Sequence, residues 1–245
     1  MNRVTTGLVT LAVTLLLAGC GLEEVEGGTS EPLVEKPGRL PPIEHDLGPG
    51  NYRALLHGAF GFLNEYWGER LEARGVDAGP PDKLVSYWTR RQDPRCGGVR
   101  AGWGNAQYCP PTDTISWDGY WVLNGMYRRN GDAAAAFLLA HEYGHLVQKR
   151  LGIINKFPLT IEGELNADCL AGAWLTAVDN RLFRLTDADF DSLIYGVFEV
   201  ADPRGVPWRN PTAHGTARER KDALVLGADH GLNGCLNRLG PGFST

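Results

Sequence analysis

The chain contains no lysine- or arginine-rich block, and its net charge is -5 with a pI near 5.7. It therefore lacks the basic surface that nucleic acid or an anionic membrane would attract. The apolar run at residues 7–17 is too short to cross a bilayer, which takes about 20 residues. No internal repeat is present, so a solenoid is excluded. The CxxC pairs favoured by structural zinc sites are missing as well. What remains is an ordinary globular composition, 43% hydrophobic and 22% charged over 245 residues. That length suffices for one good core plus a targeting segment.

Residues 1–19 have the form of an export signal: Arg3, then the apolar run, then small residues. Leu17-Ala18-Gly19-Cys20 resembles a bacterial lipobox, in which Cys20 is lipidated and becomes the first mature residue. Setting Cys20 aside leaves four cysteines, an even number that suits an exported, oxidised domain. Cys96 and Cys109 bracket a Gly-rich loop that a bridge would pin. The remaining pair, Cys169 with Cys235, would tie a later helix to the C-terminal tail. Residues 20–50 hold seven acidic residues against Lys36 and Arg39, with five prolines and six glycines. This composition predicts a flexible tether, with the folded domain at residues 51–245.

Apolar spacing predicts a helix over 52–74, closed by Gly75, and strands at 84–88 and 114–117. Further helices are expected over 118–129, 133–151, 161–177, 190–200 and 217–226. The class implied is α+β, mainly helical, with a short sheet.

The chemistry centres on His141-Glu142-Tyr143-Gly144-His145, inside the expected helix 133–151. Residues four apart share a helical face, so both imidazoles can reach one metal ion while Glu142 sits beside them. Neutral imidazoles suit Zn2+, and an adjacent carboxylate can take a proton from an activated water. Nineteen residues after His145 come Glu164 and Asp168, again four apart, on a largely apolar helix where unpaired carboxylates would be unfavourable. One can complete the metal site, and the other can accept from a ligand imidazole and fix its tautomer.

HEYGHLVQ, ELNADCLAGAW and HGTARER, in that order, resemble the motifs of the bacterial neutral zinc metallopeptidase family. Tyr108-Cys109-Pro110 and Asp118 extend the likeness, which covers residues 51–229. The resemblance implies a zincin-like fold of the gluzincin class. It implies His141, His145 and Glu164 as zinc ligands, Glu142 as catalytic base and Asp168 behind an imidazole. Leu146, Asn166 and Glu219 stand where the family usually has His, Gln and Gln.

His214 admits two readings: with Arg220 it could donate to a developing oxyanion, or it is a helix-start residue held by packing. Tyr108 and Tyr143 are read as core or rim residues, with a donor role in the site as the alternative. His45, His57 and His230 read as solvated or structural. The function expected is zinc-dependent hydrolysis of a peptide or protein substrate at the cell envelope, with an extended substrate adding along the strand 114–117. The rivals are a non-catalytic, zinc-stabilised lipoprotein serving as a binding module, and a zinc hydrolase of non-peptide amides. Glu142 speaks against the binding module, because a purely structural site needs no base.

Overall fold

Strands of two to five residues cannot hold a sheet by propensity, so this one is fastened by pairing with neighbouring strands and by a disulfide. A computed structural model describes residues 38–178 and 186–237. The signal segment 1–19, Cys20 and the tether as far as residue 37 lie outside the described residues. The main sheet has the order β1 (Ile43–Glu44), β2 (Lys83–Tyr87), β6 (Thr114–Asp118), β5 (Ala106–Cys109). The first three strands are parallel, with Leu84 opposite Ile115, and β5 runs antiparallel to β6, with Tyr108 opposite Ile115. A separate two-residue ribbon, β3 (Arg95–Cys96) with β4 (Val99–Arg100), is tied to the end of β5 by the Cys96–Cys109 bond.

Two expectations change here. The tether was expected to reach Gly50, but Ile43 is buried and β1 pairs with β2, so the ordered sheet begins inside that acidic stretch. Strand β6 was expected to offer a free edge. It lies between β2 and β5 with all five residues buried; the edge strands are β1 and, beside β6, β5, which has no β-branched residue to announce it.

Helix α1 (Gly50–Glu72) lays Leu56, Phe60, Leu63 and Trp67 into the core, and Phe60 meets Trp117 of β6 at a ring separation of 5.4 Å. The chain then turns at Gly75 in the left-handed region, φ 67°. Residues 118–129 are not one regular helix. Asp118 caps a single turn, α2 (Gly119–Trp121), which passes through a π-helical stretch (Val122–Tyr127) into α3 (Arg128–Arg150). Gly131, φ 83°, interrupts α3 where the sequence predicts a turn. Beyond it Ala133 to Ala136 are buried, and the small side chains let α5 (Asp187–Glu199) approach through Gly196. The start of α5 carries a capping box between Thr186 and Asp189.

Helix α4 (Thr160–Val178) packs on α3 and, most extensively, on α6 (Ala217–Asn237). At Gly144 an added Cβ would lie 3.0 Å from the Ala167 carbonyl oxygen, so glycine sets how near α3 and α4 can come. Helix α6 runs past the expected end at residue 226 to a kink at Gly231, φ 60°, beyond which a last helical segment carries Cys235. Gly227 reads as a helix breaker but is a contact point, since a methyl there would overlap the Cys169 carbonyl of α4. The Cys169–Cys235 bond closes the same interface, and both bridges pair as expected. Among the described residues no helix is long and apolar enough to cross a membrane.

Candidate metal centre and active-site cleft

His141 and His145 project from one face of α3, their ring centroids 4.8 Å apart, and Glu164 reaches them from α4. His141 Nε2 lies 3.1 Å from Glu164 Oε2, and His145 Nε2 lies 3.6 Å from Glu164 Oε1. Two donors on one tetrahedral zinc stand about 3.3 Å apart for bonds near 2.0–2.1 Å, so these separations fit that ion. The three donor atoms all fall within 4.8 Å of one another. Two imidazoles and one carboxylate leave a fourth position open, the pattern of catalytic rather than structural sites.

Each imidazole is backed through its other nitrogen. His141 Nδ1 is 2.8 Å from Asp168 Oδ1, and the fully buried Asp168 receives Arg220 Nε and Nη2, each at 2.8 Å. Arg220 also donates from Nη1 to the Val200 carbonyl at 2.8 Å. This corrects the pairing of Arg220 with His214 at an oxyanion: the guanidinium is buried and bound to Asp168. Its place at the start of α6 is set by Thr216 and Glu219, whose reciprocal bonds form the helix cap. Glu219, a departure from the family pattern, thus acts as a cap. His145 Nδ1 faces Gln148 Oε1 at 2.9 Å, a partner three residues along the same helix that motif reading passed over.

The charges follow from this geometry. Burial disfavours the charged His141, but Asp168 and Glu164 outweigh it and raise its pKa to about 10. Burial would push Glu164 up, yet His145 and His141 bring it well below the ordinary carboxylate range. Asp168 is likewise lowered, chiefly by Arg220 working against burial. Glu142 behaves oppositely: burial lifts its pKa, and the neighbouring histidines only partly offset that. A carboxylate made more basic is suited to receive a proton.

Glu142 shares with the three candidate ligands a cleft of about 380 Å³. Residues 104–108, along the free side of β5, form one wall, and Val200, His214 and Arg220 form the other. The Glu142 carboxylate accepts the Tyr108 backbone N–H. The His214 side chain is half exposed, and its backbone N–H donates to Asp202 Oδ2 at 2.6 Å, so the residue is held at the rim. The Tyr108 hydroxyl points away, to Asp113, and Tyr143 donates to Asn64 at 3.3 Å in the core. A larger cavity of about 500 Å³ between α4, α6 and Trp208 contains none of the candidate ligands.

A sequence family described as "Putative neutral zinc metallopeptidase" matches residues 57–233. The chain is 25% identical over 261 residues to "Uncharacterized protein YpfJ" of Escherichia coli strain K12, covering 96% of this chain and 86% of that protein. It is 29% identical over 196 residues to "Uncharacterized protein Mb2605" of Mycobacterium bovis, covering 66% and 67% respectively. No solved structure matches.

Proposed function

This chain belongs to the neutral zinc metallopeptidase family, and from that premise we propose that it hydrolyses peptide bonds with a zinc-activated water and Glu142 as general base. The observation that carries the reading is the meeting of His141 Nε2, His145 Nε2 and Glu164 in the cleft that also holds Glu142. Zinc held by those three residues would supply Lewis acidity to a water and to the scissile carbonyl. Glu142 accepts the water's proton and returns it to the leaving amine. Asp168 and Gln148 keep the ligand imidazoles in the tautomer that turns Nε2 toward the ion. The free side of β5 offers backbone groups to which an extended peptide can add as a strand, and His214 stands at the rim as a donor to the oxyanion. In this reading the fold is zincin-like, a small mixed sheet laid beside the helix that carries the histidines.

Incubation of the zinc-loaded domain with a diverse peptide pool, read by mass spectrometry beside a chelated control, tests the activity. Glu142→Gln should keep about one zinc per chain while cleavage falls by about 10²- to 10⁴-fold. Equal cleavage by both forms would contradict the assignment of the base, and no cleavage by either would favour a binding module.

We also propose that the protein is exported and held at the envelope by a lipid on Cys20. The lipobox-like LAGC and the two disulfides, which form in oxidising compartments, support this. Cys20→Ser should move the protein from the membrane fraction to the soluble one, and an unchanged, membrane-bound mature form would refute the anchor.

A further inference from the structure

The two candidate histidines are backed differently, and only the backing of His141 was expected. Behind His145 lies a chain of neutral amides whose direction can be worked out. Gln148 Nε2 donates to the Gly163 carbonyl at 2.8 Å. A carbonyl can only accept, so this end of the amide must be the nitrogen and the other end, facing His145, the oxygen. That oxygen also only accepts, so His145 Nδ1 must carry a proton, and in the neutral ring that binds a metal Nε2 keeps its lone pair on the side of Glu164. Asn166 repeats the logic one step further out. Its Nδ2 donates to the Cys235 carbonyl at 3.0 Å, which leaves its Oδ1 to accept Gln148 Nε2 at 3.0 Å. Two backbone carbonyls, Gly163 in α4 and Cys235 in α6, thereby determine the tautomer of a histidine in α3.

We infer that Gln148 is the positioning residue for His145, and that Asn166 couples it to the end of α6 held by the Cys169–Cys235 bond. The inference rests on the zinc reading above. It means that α6 supports both ligand histidines: its first turn through Arg220 and Asp168, its last through the Cys235 carbonyl, Asn166 and Gln148. The disulfide then becomes a determinant of metal affinity as well as of stability, because it fixes Cys235, whose carbonyl is one of the two acceptors that direct the amide chain.

The test measures zinc affinity by competition with a chromophoric chelator, alongside the visible spectrum of the Co2+ form, which reports ligand geometry without any turnover. Gln148→Leu should bind zinc about 10- to 100-fold more weakly than the unaltered chain, the usual effect of removing a group that orients a ligand. Its cobalt spectrum should change as well. Asn166→Leu should have a smaller effect in the same direction. The disulfide-free Cys169→Ala/Cys235→Ala chain should, where it folds, also bind zinc more weakly, and unchanged affinity would remove the bond from the relay; should it fail to fold, the two amide variants carry the test. If the unaltered chain binds zinc tightly and Gln148→Leu binds it equally with an identical cobalt spectrum, the relay is overturned while the metal site stands. If the unaltered chain binds no zinc, the metal reading falls and takes the relay with it.

Discussion

The two imidazoles of this site sit on one helix, four residues apart, yet they are held by opposite means. His141 is backed by buried charge, Asp168 locked by Arg220, whereas His145 is backed by the amides of Gln148 and Asn166. A carboxylate raises the basicity of the ring and fixes its proton, but it brings a buried charge that must itself be neutralised. An amide fixes the proton with no charge to compensate. The difference explains why α6 delivers an arginine at its first turn and only a carbonyl at its last.

The comparison can be broken most severely from the charged side. Arg220→Met should destabilise the fold by about 3–5 kcal/mol, because it leaves Asp168 buried without its partner. Urea denaturation measures this, and a loss below about 1 kcal/mol would show that Asp168 finds other compensation. Gln148→Leu, on the neutral side, should cost about 1–3 kcal/mol for the bonds left unmade. A loss of similar size, about 10- to 100-fold, is expected in zinc affinity, whereas Arg220→Met acts chiefly on stability.

A third cluster, built around Asp113, sharpens the contrast. Asp113 receives Arg150, Lys149 and the Tyr108 hydroxyl. Burial opposes its charge, but the bonds from Arg150, Tyr108 and Lys149 prevail and lower its pKa. With the folded value below the unfolded one of about 3.9, its stabilisation is complete above that pH and is lost as pH falls through the folded pKa. Asp113→Asn should therefore lower stability by about 1 kcal/mol at pH 7 and flatten the acid limb below about pH 4. Urea midpoints from neutral to strongly acidic pH check it; an unchanged acid limb would assign that slope to other carboxylates.

Much of this was legible in the chain. The i, i+4 spacings of His141 with His145 and of Glu164 with Asp168 survive folding because each pair rides on a single helix. The glycine stop after α1 is local as well. What was hidden depends on tertiary partners. Strand β5 is held by β6 and a disulfide rather than by its own residues, and β1 exists only where Ile43 meets β2. Gly227 looks like a stop until α4 is laid against it. Gln148 carried a visible signal, an amide three residues beyond a candidate ligand, but its role depends on Gly163 and Asn166 across the helix interface.

An open sheet edge invites pairing with any extended chain, including another copy of the same protein, and β5 has such an edge. It is four residues long, and Pro110 follows with no N–H to continue a ladder. Ala106 and Tyr108 line the cleft, and with the Tyr108 N–H already given to Glu142 the strand has few backbone groups to offer, so a long strand soon runs out of partners. The brevity that concealed β5 in the sequence thus also guards against aggregation: the edge can take a passing segment without becoming a template for its own kind.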